Sequence, residues 1–379
     1  MKLAFCLYKY FPFGGLQRDF LRIAQACLQR GHEVVVYTMR WEGEVPAGLQ
    51  VRLLKAQGWQ NHTRAQHYVR QVKHALAAEK FDLVVGFNKM PHLDLYYAAD
   101  VCYQARLSAQ RSPWHRFLPR CRHHIAFERS VFASSSQTNI LLIAPRQQRE
   151  FEHYYQTPAD RFHHLPPGIG KDRIAPPDAA DIRARVRDNL HIADDVRLVL
   201  MVGSGFKTKG LDRAIAALAA LPSALKSHTQ LIVIGQDNAA PFQALALAQG
   251  VAEHVHFLGG RPDVPDFLLA ADCLLHPAYH ENTGTVLLEA VVSGLPVLTV
   301  DVCGYAHYIQ DANAGIVLAS PFDQAALNKS LEKMLCSSER DMWRQNALAF
   351  AKQADIYSMP DKAADIIEQT GQKRATVFA

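Results

Sequence analysis

The sequence lacks any apolar stretch long enough to cross a membrane. Its longest apolar segments, which include residues 139–145, 197–203 and 230–235, fall far short of the ~20 residues that a membrane-spanning helix needs. The amino terminus has too short an apolar run for a signal peptide, and no small-residue cleavage site follows it. We therefore expect a chain that does not cross a membrane and whose first β-strand begins near residue 2.

Disulfide and zinc patterns are also missing. The seven cysteines are odd in number and scattered, and no two of them are spaced as Cys-x-x-Cys. Because disulfide frameworks and zinc sites use paired cysteines, this pattern favours a reducing, cytoplasmic location.

Acidic residues are nearly absent from residues 103–132. This basic segment has six arginines and one acid, Glu128, so its excess of five positive charges equals the formal net charge of the whole chain, +5. A basic patch this localised indicates an anionic surface as the partner. The rest of the chain is balanced in charge and contains no nucleic-acid recognition module, so a nucleic-acid partner is not expected.

Short apolar segments alternate with helical patterns along both halves of the chain. Continuous apolar strands between helices predict parallel sheets covered on both faces, hence an α/β fold of two Rossmann-like, doubly wound domains that face a cleft. Residues 166–196 are rich in proline and charge and are interpreted as the linker. The predicted domains are 1–167 and 168–354, with a C-terminal helix over 355–372 that returns to the first domain. Ligands of such folds bind beyond the carboxyl ends of the strands, so chemistry is expected at strand–helix junctions.

The first junction contains Gly14 and Gly15, followed by apolar residues at helical spacing up to Gly31, which is placed to cap the helix. Two glycines let a ligand approach the backbone closely, and the free N–H groups of a helix start attract phosphate. A tight strand–helix turn without a ligand would explain the same residues.

The second junction is VGSGFKTKG, residues 202–210. It begins like a dinucleotide-binding fingerprint but has Thr208 where the third glycine should be, which weighs against a nicotinamide oxidoreductase. Lys207 and Lys209 follow a predicted strand end, where paired cations suit a departing diphosphate. The alternative is that both lysines are simply solvated.

The third junction, residues 276–304, contains Glu281 in a loop and Glu289 two turns inside the next helix, which is predicted to start near Thr283. Eight helical residues rise ~12 Å, so the two carboxylates can bind an elongated ligand at different points, one at a ribose and one at a hexose. Helix-start N–H groups can hold phosphates between them. The alternative is a buried Glu289 with a chance structural partner, although an unpaired charge within VLLEAVV would be costly.

The Gly-Gly loop, the lysine before Gly210 and the Glu-x7-Glu pair together resemble the retaining GT-B glycosyltransferases of glycosyltransferase family 4. Longer blocks, including LYKYFPFGGLQRDF, GFNKMPHLD, RFHHLPPGI and VCGYAHYI, are similar to the lipopolysaccharide core heptose(I) glucosyltransferases. Those enzymes add the first outer-core hexose to an inner-core heptose. The resemblance covers essentially the whole chain. It implies a UDP-sugar donor, a heptosylated lipid A-core acceptor and a peripheral location on the cytoplasmic face of the inner membrane.

The resemblance also implies roles for individual residues. The first and second junctions would contact the donor phosphates through Gly15 and Lys209, and Glu281 and Glu289 would bind the transferred sugar and the ribose. The implied catalytic residues are Glu281, Lys209, Arg173 (a phosphate ligand), Asp19 and Asp100 (both facing the cleft). The implied nucleotide-sugar site consists of Gly14, Gly15, Arg173, Lys207, Lys209, Glu281, Asn282, Thr283, Gly284, Thr285 and Glu289.

Two departures from the family pattern concern the donor. Thr208 replaces an arginine that often precedes the phosphate-binding lysine, and Lys207 is expected to substitute for it. Asn282 and Thr283 replace two small residues beside Glu281, so Asn282 could read an N-acetyl group, which leaves UDP-GalNAc and UDP-GlcNAc open beside UDP-glucose. A GT-B-like UDP-sugar epimerase is the alternative from another class of enzyme.

The Asp-x-Asp motif of metal-dependent transferases is missing, because no two aspartates are separated by a single residue. We therefore expect no metal and no other cofactor. Positive side chains and helix-start amides would stabilise the departing UDP instead.

The basic segment places apolar residues at helical spacing between arginines and histidines. Ser112 and Pro113 suit a helix start, and Pro119 is expected to kink or split the helix. Such a basic amphipathic helix fits an anionic bilayer surface; the alternative is a helix packed on its own domain with a solvated arginine face. The expected membrane-binding residues are Arg111, Trp114, Arg116, Phe117, Arg120 and Arg122.

Overall fold

The computed structural model describes residues 1–12, 14–108 and 118–378, without the side chains of residues 375–378. The chain divides into two compact units, the first made of Met1–Gly168 with Tyr357–Ala379 and the second of Ile169–Ile356. Each unit contains one large parallel sheet with helices, which confirms the predicted α/β fold class.

Fifteen strands and fifteen α-helices are present in the described residues. The strands are β1 (Lys2–Cys6), β2 (Lys9–Tyr10), β3 (Glu33–Thr38), β4 (Arg40–Trp41), β5 (Leu49–Leu53), β6 (Leu83–Gly86), β7 (Leu95–Ala98), β8 (Asn139–Leu142), β9 (Phe162–His164), β10 (Arg197–Val202), β11 (Thr229–Ile234), β12 (Val255–Phe257), β13 (Cys273–His276), β14 (Val297–Val300) and β15 (Gly315–Leu318). The helices are α1 (Gly15–Gln29), α2 (Asn61–Ala78), α3 (Tyr103–Ser108), α4 (Pro119–Phe132), α5 (Pro145–Tyr155), α6 (Ala179–Asn189), α7 (Leu211–Ala219), α8 (Ser223–Lys226), α9 (Ala240–Ala248), α10 (Val264–Ala270), α11 (Thr285–Val292), α12 (Ala306–Asp311), α13 (Gln324–Cys336), α14 (Arg340–Gln353) and α15 (Met359–Phe378).

The first unit is built on a seven-stranded sheet in the order β5-β3-β1-β6-β7-β8-β9, in which every pairing is parallel. Alternate residues of β1 belong to the cores on its two faces: Leu3 and Phe5 to one, Ala4 and Cys6 to the other. The chain leaves β1 in one direction toward β3 and returns on its other side at β6. This reversal of strand order places the loops after β1 and β6 at the edge where doubly wound sheets bind ligands.

The C-terminal helix α15 completes the core of the first unit. Its residues Ala363, Ala364 and Ile367 are fully buried in the cluster that also contains the core residues of β1 and α1. Arg30, just after α1, forms ion pairs of 2.7 Å with Asp365 and 3.2 Å with Glu368. Residues separated by the whole second unit in sequence therefore fold into one core.

The second unit has a six-stranded sheet in the order β12-β11-β10-β13-β14-β15, again with parallel pairings. Here the strand order reverses between β10 and β13, so the loops after these two strands flank the expected ligand crevice. Residues 166–196 connect β9 of the first sheet to β10 of the second, and they include α6, which packs against α10. Ile182 and Val186, four residues apart and buried, give α6 the apolar face that this packing needs.

The basic segment is described from α3 and from α4 onward. Leu118 is the N-cap of α4, and Pro119 is its first residue rather than a kink within it, because a helix start does not need the N–H group that proline lacks. The predicted helix start at Ser112 and Pro113 lies outside the described residues. In the part of the chain that the structure describes, no helix is long and apolar enough to cross a membrane.

Candidate active site

Two loops of the second unit meet at the predicted crevice. Because β10 and β13 are adjacent parallel strands, the loop after β10 and the loop after β13 leave the sheet at the same edge. The ammonium group of Lys209, from the first loop, forms an ion pair with Oε2 of Glu281, from the second. The structure thus joins two predicted site residues that are 72 positions apart in sequence.

His276, the last residue of β13, contacts the same carboxylate. Its Nε2 lies 3.2 Å from Oε2 of Glu281, and its side chain is fully buried. An ionised carboxylate only accepts hydrogen bonds, so His276 is the donor. Both described partners of Glu281 use Oε2, and within the described residues Oε1 carries no hydrogen bond.

The surroundings keep Glu281 ionised. Burial by itself would raise the pKa of its carboxyl group, but the hydrogen bond from His276 and the positive charge of Lys209 outweigh burial and hold the pKa at about 2. A group ionised throughout the physiological range cannot donate a proton. Glu281 is therefore suited to accepting hydrogen bonds from hydroxyl groups and to orienting Lys209.

Close packing fixes the two loops against each other. Gly210 has a left-handed backbone (φ +78°), and a Cβ atom there would collide with the carbonyl oxygen of Pro277. Arg213, in α7, donates hydrogen bonds of 3.0 and 3.1 Å to the carbonyls of Pro277 and Ala278. Its guanidinium lies 3.5 Å from the ring centroid of Tyr279, whose hydroxyl donates to Asp212. The backbone leading to Glu281 is thereby clamped onto the loop that carries Lys209.

The start of α11 forms the next part of the site. Gly284, with φ +80°, is its N-cap, and Thr285 is its first residue, two positions after the predicted start near Thr283. The carbonyl of Thr283 accepts a 2.7 Å hydrogen bond from the backbone N–H of Tyr305. The backbone of Asn282 lies so close to Gly304 that a Cβ there would collide with it. These contacts fix the peptide units that follow Glu281.

Glu289 lies within α11, and Arg173 lies in a turn that contacts the end of the same helix. Glu289 is 5% exposed in the middle of α11. Arg173 ends a short 3₁₀ turn, and its carbonyl lies 3.4 Å from the hydroxyl of Ser293, four residues beyond Glu289. The Arg173 side chain forms a 3.1 Å ion pair with Asp172. The structure thus brings the turn that carries Arg173 to the end of α11. Lys207, by contrast, is exposed in the loop between β10 and α7.

In the first unit, Gly14 is the N-cap of α1 and Gly15 is its first residue. A Cβ at Gly14 would meet the side chains of Gln17 and Phe11, whereas nothing lies within 4 Å of the position of a Cβ at Gly15. Gly14 therefore serves local packing, and Gly15 leaves open space in front of the helix start. That is the geometry expected where phosphate approaches a backbone.

Asp19 and Asp100 differ in their surroundings. Asp19, on α1, accepts a 2.8 Å hydrogen bond from the hydroxyl of Tyr97 near the end of β7, and a 3.2 Å bond from Arg22. Asp100 is exposed two residues after β7. Its charge contributes, after burial itself, to raising the pKa of the Tyr96 hydroxyl. Tyr97 thus connects Asp19 to β7, the strand that precedes Asp100.

Comparisons with known proteins identify the family. The family described as Glycosyl transferases group 1 matches residues 182–350, and Glycosyltransferase Family 4 matches residues 13–173. The chain is 49% identical over 368 residues to the lipopolysaccharide glucosyltransferase WaaG of Escherichia coli (strain K12), covering 97% of this chain and 98% of that protein. The chain belongs to the WaaG family of glycosyltransferases.

Solved structures agree with membership of the WaaG family. The crystal structure of WaaG, a glycosyltransferase involved in lipopolysaccharide biosynthesis, matches with a TM-score of 0.92 at 48% identity, covering 96% of this chain and 99% of that one. HepE of Anabaena, solved in complex with UDP-glucose, shares the fold with a TM-score of 0.75 at 18% identity, covering 97% and 100%. The predicted resemblance is confirmed, and this WaaG-family chain is a sugar-transferring enzyme with the GT-B fold.

The basic segment of this WaaG-family chain presents only positive charge at its described surface. Its four described arginines, which are Arg106, Arg120, Arg122 and Arg129, are all exposed. Its one acid, Glu128, is fully buried, pairs with Lys89 and accepts bonds from the backbone N–H groups of Tyr103 and Gln104. Arg111, Trp114, Arg116 and Phe117, four of the predicted membrane contacts, lie outside the described residues.

In this WaaG-family chain, sequence reasoning missed His276 and Arg213 in the second unit and Tyr97 in the first. His276 had a detectable signal, since it is the one polar residue at the end of the apolar strand CLLH. Arg213 and Tyr97 gave none, because an arginine on a helix and a tyrosine in a strand are ordinary residues there. Only the fold brings Arg213 to the loop after β13 and Tyr97 to Asp19 on α1.

Proposed function

We propose that this WaaG-family enzyme transfers glucose from UDP-glucose to heptose I of the lipopolysaccharide inner core, with retention of anomeric configuration and without a metal ion. The observation that carries the proposal is the cluster of Lys209, Glu281 and His276 at the strand-order reversal of the second unit. The positive charge of Lys209 suits the diphosphate of a sugar nucleotide, and the Oε1 atom of Glu281 suits the hydroxyl groups of its sugar. The name of the relative WaaG supports glucose and lipopolysaccharide.

Lys209 supplies the positive charge for the leaving group. Its ammonium group has three N–H donors, and within the described residues only Glu281 accepts from it. The remaining donors can bind phosphate oxygens of the donor while the ion pair keeps the side chain in place. Negative charge grows on the diphosphate as the sugar bond breaks, so a cation fixed beforehand stabilises that transition state. The N–H groups at the start of α11 act in the same direction.

Glu281 is proposed to bind the sugar rather than attack it. Because Oε2 is held by Lys209 and His276, Oε1 is the oxygen left to accept hydrogen bonds from hexose hydroxyls. Asp19, the candidate carboxylate of the first unit, already accepts bonds from Tyr97 and Arg22. We therefore assign no protein nucleophile. In the proposed mechanism the acceptor hydroxyl attacks from the face that the diphosphate leaves, and a donor phosphate oxygen takes its proton.

The basic segment is proposed to hold the enzyme on the cytoplasmic face of the inner membrane, where the lipid-linked acceptor lies. Its exposed arginines face no exposed acid of the same segment, because Glu128 is buried. Each basic residue near an anionic bilayer contributes about 1 kcal/mol, which gives reversible, salt-sensitive attachment.

A transfer assay in EDTA tests this proposal. Lipid A carrying the heptosylated inner core is incubated separately with UDP-glucose, UDP-GalNAc or UDP-GlcNAc. The mass of the acceptor is then measured by mass spectrometry. A gain of one hexose from UDP-glucose alone is expected. A gain of an N-acetylhexosamine would instead assign the donor that Asn282 could read.

Two further measurements make the assay decisive. The anomeric configuration of the product, determined by NMR, must match that of the donor; inversion would refute the retaining mechanism. Lys209→Met must lower the transfer rate by about 10²–10³-fold, while Lys333→Met, at an exposed lysine of α13, must leave it unchanged. A changed free nucleotide sugar with no glycosylated acceptor would show an epimerase instead.

A further inference from the structure

A cavity of about 300 Å³ lies at the opposite edge of the second unit's sheet from Lys209 and Glu281. Arg197 is the first residue of β10, Asp272 directly precedes β13, and Pro296 directly precedes β14; all three line the cavity. The cavity is therefore at the amino ends of the strands, whereas the donor site is at their carboxyl ends. The two places are distinct parts of the same unit.

Four arginines line this cavity: Arg183, Arg197, Arg340 and Arg344. Arg183 is neutralised, because it forms a 2.8 Å ion pair with Asp272 and donates to two backbone carbonyls. In the described part of the chain, the other three arginines have no carboxylate within ion-pair distance. The only side-chain hydrogen bond described for them runs from Arg340 to the carbonyl of Ser337.

The charge of the cavity wall favours an anion. Four arginines against two aspartates, Asp272 and Asp341, leave a formal excess of two positive charges. Like charges around one cavity repel each other, and an anion bound between them offsets that repulsion. Arg340 also begins α14, whose first turn adds the positive end of a helix dipole.

We propose that this arginine pocket binds a phosphate-bearing ligand, either a phosphomonoester or a diphosphate, separate from the UDP-sugar donor. The planar guanidinium fork matches phosphate oxygens two at a time, and Arg197, Arg340 and Arg344 have no carboxylate partner in the described part of the chain to compete with a phosphate. A cavity of about 300 Å³ holds a phosphorylated monosaccharide or a phospholipid headgroup rather than a whole nucleotide sugar. In the first case the phosphate belongs to a small molecule in solution, and in the second it belongs to a lipid.

Calorimetric titration of the full chain with inorganic pyrophosphate, in the presence of saturating UDP, tests the site. UDP occupies the donor site, so binding that persists reports a second site. Arg197→Gln with Arg344→Gln is expected to weaken this binding at least tenfold. Arg185→Gln, an exposed residue of α6 that pairs with Asp266 outside the cavity, is the matched control and is expected to change nothing. UDP affinity of each variant confirms its folding.

Three results would overturn the proposal. They are complete displacement of pyrophosphate by UDP, wild-type affinity in the double variant, and equal weakening in the control. A lower melting temperature with unchanged pyrophosphate affinity would mean that the arginines only stabilise the end of α11. A second arm uses phosphatidylcholine vesicles containing phosphatidic acid. Displacement of pyrophosphate by them assigns the site to a lipid headgroup, and its absence assigns a free phosphorylated ligand.

Discussion

His276 donates a 3.2 Å hydrogen bond to Glu281 from a position that no solvent reaches. It comes from the rigid end of β13, whereas Glu281 sits in the loop five residues later. The strand therefore sets the orientation of the carboxylate. The pKa of Glu281 is about 2, so in the folded enzyme this group stays ionised above pH 3.

Replacing His276 by leucine is expected to raise the pKa of Glu281, because burial then acts with only Lys209 to oppose it. An acid limb from this group should therefore appear in the pH profile of kcat/KM at a higher pH than in the unmodified enzyme. Thr299→Val is the control, since Thr299 is buried and bonds the His276 carbonyl without touching Glu281. A profile unchanged in His276→Leu would refute the orienting role.

The same carboxylate links folding to pH. Its folded pKa lies below the unfolded value of about 4.3, so its contribution to stability is complete above that value and is lost as the pH falls toward 2. The unfolding free energy of Glu281→Gln should therefore depend less on pH than that of the unmodified chain over pH 2–4.5. Urea unfolding of both proteins at several pH values measures this dependence. An equal change of unfolding free energy with pH in the two proteins would contradict the prediction.

Lys209 and Lys207 form a matched pair, two residues apart. Lys209→Met should lower kcat by about 10²–10³-fold, because it removes a fixed charge from the leaving group. Lys207→Met should lower it by less than tenfold, since Lys207 is exposed and has no partner among the described residues. Initial rates at saturating UDP-glucose give both numbers. Equal losses would show that Lys207 does replace the family's missing arginine.

Gly210 and Gly250 share a left-handed backbone, with φ of +78° and +68°, but differ in their neighbours. Gly250→Ala should cost only the conformational strain, about 1–2 kcal/mol. Gly210→Ala should cost more and also lower activity, because its methyl group would displace Pro277 and with it the loop that carries Glu281. Urea unfolding and transfer rates decide this, and equal costs at both positions would argue against the clamp.

Arg120 and Arg122 are the two predicted membrane residues that the structure describes, and both are exposed. Replacing both by glutamine should weaken binding to anionic vesicles about 30-fold at low salt, from about 1 kcal/mol each. Lys329→Gln with Lys352→Gln removes the same charge from exposed positions of the second unit and should have little effect. Sedimentation with vesicles measures both, and unaltered binding of the arginine variant would contradict the membrane proposal.

The positions of Lys209 and Glu281 could be predicted because parallel strands end at one edge of a sheet. Their mutual ion pair could not, since it depends on which strands are neighbours.

The basic segment shows where amphipathic pattern alone misleads. Cys121 belongs to the apolar residues at helical spacing in this segment, but it is buried in the protein and contacts the Tyr103 hydroxyl. Helical spacing shows which residues share a face and not what that face packs against. The arginines of the same helix are exposed, and their contact with an anionic membrane stays a prediction.

The insertion of α15 into the core of the first unit imposes an order on biosynthesis. The apolar cluster around β1 cannot close until Ala363, Ala364 and Ile367 have left the ribosome, which happens after the entire second unit has been made. The second unit is continuous in sequence and can fold as soon as it emerges. The half of the enzyme that is translated first is thus the half that finishes folding last, and until then its apolar strands stay exposed to aggregation.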